Sequence, residues 1–287
     1  MSRIWLITGA SSGFGLELTR VAARQGDLVL AASRDPESLN SLVSSDKVIP
    51  VYLNHNKPLS EIQADIKDIL AIHGTVDIVV NNAAYIQTGM LEEVSPEDTL
   101  RQFQANTLGP LNLYRAVLPH LREKGSGTLI TIGSMAAWYP MPGCNLYNAS
   151  KAALRWLALG LADEISHFGI NHCLVEPGFF RTQLLNPDAN ISGTSESTRL
   201  PAYSELNSTT DAKFAAFNGA QLDDPVKGAQ IIYDVVTSSG VASGMKLPEL
   251  LPLGSDASEE VSKSASRTLA AVEELRAISA LSDIPRE

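Results

Sequence analysis

Cysteine is scarce in this chain of 287 residues, and long apolar runs are absent. The two cysteines, Cys144 and Cys173, are too few for a disulfide scaffold and lack the C-x-x-C spacing of a redox or metal site. Nowhere do about 18 apolar residues follow one another without a charge, so the sequence predicts no membrane span. The first eight residues also lack the basic and long apolar regions of a secretion signal. We therefore expect a reduced, cytoplasmic protein.

Basic residues are outnumbered, because 22 lysines and arginines stand against 32 aspartates and glutamates, for a formal net charge of −10. No cluster of lysine or arginine interrupts this acidic balance, so nothing marks a surface for nucleic acid or anionic lipid. The histidines show no ligand spacing such as H-x-x-x-H, and we expect no metal site. They are His55, His73, His120, His167 and His172. An anionic ligand would have to be held by a local arrangement of donors.

The chain does contain a regular alternation of short apolar runs and helical periods. Apolar runs bounded by Gly, Pro, Asp or Asn are typical of strands buried on both faces of a parallel sheet. They occupy residues 4–7, 28–31, 48–53, 78–80, 128–132 and 173–175. Helical spacing fills the intervals, at 14–25, 36–44, 59–73, 96–124 and 145–168. The alternation predicts an α/β fold, a Rossmann-like doubly wound parallel sheet in a single domain.

A glycine-rich turn directly follows the first strand, with Gly9, Gly13 and Gly15 in the spacing G-x-x-x-G-x-G. Glycines permit a tight turn and close backbone approach, so a pyrophosphate can sit against free N–H groups at the start of the next helix. The spacing differs from the G-x-G-x-x-G dinucleotide fingerprint. An ordinary turn between strand and helix is the alternative, and the position after the first strand of an alternating chain favours dinucleotide binding.

The end of the second strand indicates which dinucleotide is bound. An acidic residue near this point takes the ribose hydroxyl of NAD, whereas an arginine accommodates the 2′-phosphate of NADP. Ser33 occupies the expected place of the acid and Arg34 follows it, which favours NADP(H). In the alternative interpretation Arg34 is a solvated loop residue and Asp35 binds the ribose.

Tyr147 and Lys151 lie four residues apart at the start of a strongly helical segment, so they share one helix face. A nearby cation lowers the pKa of a phenol, which makes general acid/base catalysis feasible. Ser134 ends the fifth predicted strand, and active sites of open parallel sheets form at such ends. It could equally be a turn or N-cap residue, and the Tyr–Lys pair could be an ordinary helical pair. Asn106 lies on a helix whose apolar neighbours suggest burial, although it could also face solvent.

Together these residues resemble the short-chain dehydrogenase/reductase family. The resemblance covers roughly residues 3–182 and rests on motifs in the family's order. They are Thr8 to Gly15, Asn81-Asn82-Ala83-Ala84, Asn106, Ser134, Tyr147-x-x-x-Lys151 and Pro177-Gly178. The glycine turn, Glu176-Pro177-Gly178 and residues 253–257 are similar to the branch with 17β-hydroxysteroid dehydrogenases and microbial ketoreductases, which implies a place in natural-product biosynthesis.

The resemblance implies a catalytic tetrad. Tyr147 would exchange a proton with a carbonyl or alcohol while hydride moves to or from the nicotinamide. Lys151 would bind the nicotinamide ribose and lower the pKa of the tyrosine, and Ser134 would hydrogen-bond the substrate oxygen. Asn106 would hold a water that relays protons.

The cofactor-binding residues expected from the turn, the second strand and the resemblance form one set. They are Gly9, Ser11, Ser12, Gly13, Phe14, Gly15, Ser33, Arg34, Asn54, Asn81, Ala83, Tyr147, Lys151, Pro177, Gly178, Phe180 and Thr182. Three positions depart from the family pattern, with Ala84 for a glycine, Asn54 for an acid at the adenine, and Gly133 for a frequent serine. None removes a group that performs the chemistry.

The chain after the family motifs predicts where the substrate binds. Residues 1–178 would form the dinucleotide-binding and catalytic core, 179–222 a substrate lid, and 223–287 a helix, a strand and a docked tail. The tail, with apolar residues at roughly helical spacing between 261 and 278, would dock on the body or on a partner subunit. The resemblance implies a homodimer or homotetramer.

Aromatic and apolar residues would wall the substrate site and favour a hydrophobic ketone or alcohol. They are Phe179, Phe180, Leu184, Leu185, Tyr203, Phe214 and Phe217 in the lid, and Trp138, Tyr139, Met141, Pro142 and Cys144 opposite. The same side chains could instead pack against one another or a second subunit. The leading hypothesis is an NADP-dependent ketoreductase or alcohol dehydrogenase. A dehydratase or epimerase on the same scaffold and a non-catalytic NADP(H) sensor are the alternatives.

Overall fold

A parallel sheet organises the protein, whose computed structural model describes residues 2–40, 45–186 and 190–284. The strands are β1 (Ile4–Thr8), β2 (Leu28–Ser33), β3 (Val48–Tyr52), β4 (Ile78–Asn81), β5 (Ile86–Gln87), β6 (Gly127–Ile132), β7 (Ile170–Pro177), β8 (Ile191–Ser192) and β9 (Leu250–Leu253). The main sheet has the order β3-β2-β1-β4-β6-β7-β9, and every neighbouring pair in it is parallel. The strand order reverses between β1 and β4, which opens a crevice at the carboxyl ends of these strands.

Helices cover both faces of the sheet. They are α1 (Gly13–Arg24), α2 (Glu37–Asn40), α3 (Leu59–His73), α4 (Pro96–Phe103), α5 (Gly109–Lys124), α6 (Asn145–Ile165), α7 (Ser204–Phe217), α8 (Pro225–Thr237) and α9 (Ser255–Ser279). One buried apolar cluster joins the sheet to α1 and α8, and a second joins its other face to α3, α5 and α6. This arrangement confirms the predicted Rossmann-like doubly wound sheet in a single domain.

Several element bounds differ from the sequence-based expectation. The helix predicted over 36–44 corresponds to α2, and residues 41–44 lie outside the described ranges. The short strands β5 and β8, which pair in a separate small sheet, were not expected. Strand β9 extends the main sheet beyond β7 and brings the chain back beside the end of that strand.

The helix predicted over 96–124 is interrupted by a π-helical turn at Gln104–Leu108. Pro110 has no N–H, so it cannot donate to the carbonyl of Asn106 four residues earlier, and the regular hydrogen-bond series stops there. The N–H of Gly109 instead bonds to the carbonyl of Gln104, five residues back. Turns of this kind are frequent at functional sites, and this one contains Asn106.

The tail helix α9 packs on the body through its first part alone. Ala257 and Ser264 are buried, and the Ser264 hydroxyl donates a hydrogen bond to the carbonyl of Trp138. From residue 265 to residue 284 every side chain is exposed. The expected docking on the body therefore stops at Ser264, because the later apolar residues of α9 face no other part of the described chain.

None of the helices in the described ranges has the length and apolar character required to cross a lipid bilayer.

Candidate active site

A large cavity opens at the carboxyl ends of the sheet strands. Its volume is about 1010 Å³, at the upper end of the range of about 300–1,000 Å³ for small-molecule sites. The residues that follow β1, β2, β4, β6 and β7 all contribute to its lining. A single cavity thus has space for a dinucleotide and a second small molecule.

The glycine turn forms one end of the cavity. Gly9 and Gly13 have φ angles of 64° and 52°, a conformation that side chains other than glycine rarely adopt. A Cβ on Gly13 would find Thr182 at 3.5 Å as its nearest neighbour, so the space above the turn is open. Ser12 caps α1 without a side-chain hydrogen bond, which leaves the first N–H groups of α1 for a ligand. The turn is therefore a cradle suited to a pyrophosphate.

Gly15 supports this cradle from behind and does not line the cavity. A Cβ at this position would lie 2.3 Å from the carbonyl oxygen of Gly9 and 2.6 Å from Nδ2 of Asn82. That amide donates to the carbonyl of Thr8 at 2.8 Å, and the Thr8 hydroxyl accepts from the N–H of Asn82 at 2.9 Å. The turn is thus tied to the end of β4.

The rim of the cavity beyond β2 carries a positive charge. Arg34 lines the cavity and is exposed, whereas Asp35 does not line it and uses its N–H to donate to the Ser33 hydroxyl at 3.1 Å. Among the ion pairs of the described residues, none includes Arg34. An unpaired guanidinium at this rim suits a phosphate better than a ribose hydroxyl.

His55, which the sequence analysis did not single out, lies next to Asn54 in the cavity lining. Burial, and after it the positive charge of Arg34, lower the pKa of His55 from 6.5 to about 4. A Cβ on Gly109 would lie 2.5 Å from Cδ2 of His55, so the ring packs against the start of α5. The neutral imidazole thus forms a wall of the cavity near its rim. The glycine at position 109, which leaves room for this ring, was the one feature of the sequence that could have indicated the position of His55.

Tyr147, Ser134 and Lys151 come together in the middle of the cavity. The Nζ atom of Lys151 lies 5.9 Å from the centroid of the Tyr147 ring and donates to the carbonyl of Ile132 at 2.9 Å. The Ser134 hydroxyl accepts from the N–H of Ala136 at 3.1 Å, so it is also the N-cap of a short 3-10 turn. The catalytic and the capping interpretations of Ser134 are therefore compatible.

The pKa of Tyr147 differs in direction from the expected lowering. Burial raises it above the ordinary value of 10.0, and a hydrogen bond to Ser134 opposes the rise without cancelling it. Burial lowers the pKa of Lys151 to about 8, and the charge of Glu176 acts in the opposite direction. At neutral pH Tyr147 therefore carries its proton and Lys151 is largely charged.

Asn106 lies behind Tyr147 and does not line the cavity. It is fully buried, and its amide donates to the carbonyl of Tyr85 at 2.9 Å and to the Ser150 hydroxyl at 3.2 Å. The Ser150 hydroxyl in turn donates to the carbonyl of Tyr147 at 2.7 Å. Ser150 thus links the π-helical turn to the first turns of α6. Serine is common on helices, so sequence gave no signal for this role.

Asn81 also differs from its expected position at the adenosine side. It is buried, does not line the cavity, and donates to the carbonyl of Pro110 at 3.0 Å. The side chains of a strand alternate between the two faces of the sheet, and the next residue, Asn82, faces the cavity instead. The other sixteen expected catalytic and cofactor-binding residues line the cavity. They are Gly9, Ser11, Ser12, Gly13, Phe14, Ser33, Arg34, Asn54, Ala83, Ser134, Tyr147, Lys151, Pro177, Gly178, Phe180 and Thr182.

A side chain at the start of α9 holds the turn after β7 in place. Asp256 accepts a hydrogen bond from the N–H of Phe179 at 2.7 Å, and a Cβ on Gly178 would lie 1.9 Å from its Oδ1 atom. Burial raises the pKa of Asp223, and a proton shared with the neighbouring carboxyl of Asp256 adds to the rise, to about 6. This contact holds the entry to the lid segment beside the cradle.

The far end of the cavity is apolar. Its lining side chains are Tyr139, Met141, Cys144, Phe179, Leu184, Leu185, Ile191 and Phe214. Burial raises the pKa of the Cys144 thiol to about 12, so Cys144 is a neutral wall residue. Four residues expected in the substrate walls do not line the cavity: Trp138, Pro142, Tyr203 and Phe217. Within the described ranges, no group of three or more His, Cys, Asp or Glu side chains could hold a metal ion.

Comparison with known proteins agrees with this geometry. Residues 3–190 match the short chain dehydrogenase family. The chain is 33% identical over 287 residues to oxidoreductase BOA17 of Botryotinia fuckeliana, covering 97% of this chain and 98% of that protein. The chain therefore belongs to the short chain dehydrogenase family, a family of oxidoreductases.

Two solved structures resemble the fold. A short-chain dehydrogenase from Streptomyces avermitilis superposes with a TM-score of 0.86 at 34% identity, covering 98% of each chain. A gluconate 5-dehydrogenase from Burkholderia cenocepacia J2315, solved in complex with NADP and tartrate, has a TM-score of 0.61 at 28% identity. That match covers 65% of this chain and 75% of the other.

Proposed function

We propose that this protein is an NADP-dependent oxidoreductase that interconverts a hydrophobic ketone and its secondary alcohol, with Tyr147 as the acid/base. The observation that carries the proposal is the position of Tyr147, Ser134 and Lys151 in one cavity, between a glycine cradle and an apolar wall. A phenol there can reach a carbonyl oxygen placed against the wall. Ordinary helix packing gives no reason for these three polar groups to converge on open space.

The cofactor end of the cavity fits NADP(H). The open cradle from Gly9 to Phe14 would hold the pyrophosphate, and Arg34 would pair with the 2′-phosphate. Asn54 and Ala83 would border the adenosine, while Thr182 and the turn at Gly178 would border the nicotinamide half. Support also comes from the gluconate 5-dehydrogenase relative, which was solved with NADP. When bound, this cofactor supplies or accepts the hydride.

The protein supplies the proton. Tyr147 keeps its proton at neutral pH because burial raises its pKa, so it can donate from Oη to a carbonyl oxygen that is becoming an alkoxide. The Ser134 hydroxyl would hydrogen-bond the same oxygen and orient it. The ammonium of Lys151 would stabilise the phenolate that forms, and would also bind the nicotinamide ribose.

Asn106 would supply the route by which Tyr147 regains its proton. In a regular helix the carbonyl of Asn106 would accept from the N–H four residues later. That residue is Pro110, which has no N–H, so the carbonyl in this π-helical turn can accept from a water. The bonds from Asn106 to Ser150, and from Ser150 to Tyr147, keep the turn and α6 in register. Asn106 would thus act through a water and not by direct contact with substrate.

The apolar wall favours a hydrophobic substrate, for example one formed in natural-product biosynthesis. We further propose a homodimer or homotetramer in a reducing compartment. Leu100 on α4 and Trp156 on α6 are each 71% exposed, which supports pairing through these helices. Cys144 and Cys173 are buried and unpaired, in keeping with a reduced protein.

The substitution Tyr147→Phe tests the proposal. It removes the hydroxyl and keeps the ring, so we expect turnover of hydrophobic ketones to fall by about 10²–10⁴-fold while NADPH binding stays near wild type. NADPH oxidation measures the first quantity and NADPH fluorescence titration the second. Tyr52→Phe is the matched control, because Tyr52 lies outside the cavity lining and is exposed. A Tyr147→Phe protein with most of its activity would remove Tyr147 from the mechanism.

A further inference from the structure

A carboxylate lies fully buried beside the proposed site without belonging to its tetrad. Glu176, near the carboxyl end of β7, has no exposed surface. Burying a charge is costly unless partners compensate, so a glutamate retained here needs an explanation. Apolar side chains fill the neighbouring strand positions, and a leucine or valine would suit a purely structural role.

Two side chains hold the carboxylate in place. The indole N–H of Trp138 donates to Oε2 of Glu176 at 2.6 Å. The Nε atom of Arg155 lies 3.5 Å from Oε1, and its guanidinium stacks 4.3 Å from the centroid of the Trp138 ring. This contact explains why Trp138 turns away from the substrate wall. The Oε1 atom has no hydrogen-bond partner among the described residues.

The chain makes room for this carboxylate at Gly133. A Cβ on Gly133 would lie 3.2 Å from Cγ of Glu176 and 3.1 Å from Cδ1 of Leu174, closer than is comfortable. A serine, frequent in the family at this position, would press on the Glu176 side chain. The departure at Gly133 and the presence of Glu176 are therefore sterically linked.

The carboxylate lies beside the segment that holds Lys151: Lys151 donates to the carbonyl of Ile132, and a Cβ on the next residue, Gly133, would contact Cγ of Glu176. Lys151 and Arg155 are one helical turn apart on α6, so Glu176 faces the part of the helix that carries both cations. Lys151 is 2% exposed, and its assigned hydrogen bond is to the carbonyl of Ile132. Burial lowers the pKa of Lys151 to about 8, and the charge of Glu176 is what opposes a further fall.

We propose that Glu176 is a positioning residue for the proposed carbonyl reduction, whose buried carboxylate keeps the Lys151 ammonium charged while Trp138 and Arg155 hold that carboxylate in place. Glu176 does not touch the reacting atoms and acts through Lys151. The proposal rests on the proposed function for its catalytic consequence, but the effect on the charge of Lys151 is independent of any substrate.

Other titratable groups near Lys151 do not change charge around pH 8. Burial holds His55 neutral, with a pKa of about 4, and raises the pKa of Tyr147. Tyr139 and Cys144, which face Tyr147, have pKa values raised by burial to about 12. Arg155 on α6 is a second cation and pairs with the same carboxylate. Glu176 on β7 is the facing carboxylate: burial raises its pKa, while the hydrogen bond from Trp138 and the charges of Arg155 and Lys151 oppose that rise and favour the charged form.

The test is competitive labelling of Lys151 with acetic anhydride between pH 6 and pH 10, read by mass spectrometry of its peptide. The neutral amine reacts, so the midpoint reports the ionisation of Lys151 without cofactor or substrate. In Glu176→Gln, which keeps shape and loses charge, we expect the midpoint to fall by about one pH unit, the order for one nearby charge at an effective dielectric constant of about 20. Glu164→Gln, an exposed residue on α6, should leave it unchanged.

Two further variants separate charge from packing. Glu176→Asp keeps the charge and should restore much of the wild-type midpoint. Arg155→Met removes the competing cation while the hydrogen bond from Trp138 still holds the carboxylate, so its midpoint should stay at or above the wild-type value. The direction therefore remains testable if Glu176→Gln does not fold. An unchanged midpoint in Glu176→Gln, or a fall in Arg155→Met equal to that in Glu176→Gln, would overturn the proposal.

Activity gives a separate readout. In ketone reduction, the alkaline limb of the kcat profile should shift to lower pH in Glu176→Gln, with KM for the ketone little changed. If labelling shifts while no ketone is reduced by any variant, the proposed function fails and the effect of Glu176 on Lys151 stands. If ketones are reduced and labelling does not shift, the role of Glu176 fails alone.

Discussion

Replacing Gly15 by alanine should damage the protein at the cofactor cradle, even though Gly15 lies in a helix where alanine is normally preferred. The new Cβ would lie 2.3 Å from the carbonyl oxygen of Gly9 and 2.6 Å from Nδ2 of Asn82. Neither atom can yield cheaply, because the first belongs to the backbone of the turn and the second donates to the carbonyl of Thr8 at 2.8 Å.

The expected size follows from three contributions. Overpacking of a fixed site costs about 1–3 kcal/mol. Loss of the Asn82 hydrogen bond adds about 1 kcal/mol. Helix propensity returns about 1 kcal/mol when glycine becomes alanine. We expect a net loss of about 1–3 kcal/mol in the free energy of unfolding, together with weaker NADPH binding because the turn must shift.

Gly160→Ala is the matched control, since Gly160 is an exposed helix residue with no atom within 4 Å of the added Cβ. It should stabilise the protein by about 0.5–1 kcal/mol and leave NADPH binding unchanged. Urea unfolding followed by circular dichroism and fluorescence titration with NADPH measure the two quantities. The reasoning would be refuted if Gly15→Ala were as stable as Gly160→Ala and bound NADPH like the wild type.

Two other predictions concern charge. Arg34→Ala should weaken NADPH binding by about 10–100-fold, since a hydrogen bond to a charged group contributes about 1.5–3 kcal/mol, and should leave NADH binding almost unaltered; equal losses for both cofactors in a titration would show that Arg34 does not bind the phosphate. For His55, burial and then Arg34 lower the folded-state pKa from 6.5 to about 4, so the unfolded chain takes up its proton first and stability is lost as pH falls from about 6.5 toward 4. His55→Gln should flatten part of this slope, by up to about 1.4 kcal/mol per pKa unit. His172, whose pKa burial also lowers to about 4, contributes in the same direction, and Asp223, whose pKa is raised to about 6, opposes it. Chemical unfolding at several pH values gives the slopes, and parallel slopes for wild type and variant would be the contrary result.

The sheet and the cradle could be predicted from sequence because their signals are local. Buried parallel strands need continuous apolar runs, and the turn after β1 needs glycines at fixed positions, so both leave a mark on a few adjacent residues. The expected cofactor residues of the turn from Gly9 to Phe14 follow the chain directly and line the cavity together, with Gly15 supporting them from behind. Spacing along one helix likewise placed Tyr147 and Lys151 on the same side.

Contacts between distant segments could not be predicted in this way. Ser150 and Glu176 acquire their places through partners on other elements, and neither residue type is distinctive in its local sequence. The position of the Asn81 side chain depends on the face of β4 to which it points. The structure shows that face, because the Asn81 amide donates to the carbonyl of Pro110. Pro110 was the one local signal for the π-helical turn, because a proline at that point removes a helix donor.

The exposed part of α9 illustrates a second reason why sequence could not predict every contact. Apolar residues at helical spacing predict a packed face, but they do not say against what the face packs. The described chain covers this helix as far as Ser264 and leaves Leu269 and Val272 more than half exposed. A sequence pattern of this kind therefore predicted the helix and could not predict its neighbour.

The most direct test of carbonyl reduction is the stoichiometry between NADPH consumed and alcohol formed when the purified protein turns over a hydrophobic ketone. Absorbance at the nicotinamide band and chromatography of the product supply the two amounts in the same reaction. A reductase that uses Tyr147 as its acid predicts one alcohol for each NADPH oxidised. Product formed without net loss of NADPH would contradict it and favour dehydration or epimerisation, and NADPH binding with no product from any ketone would favour a sensor.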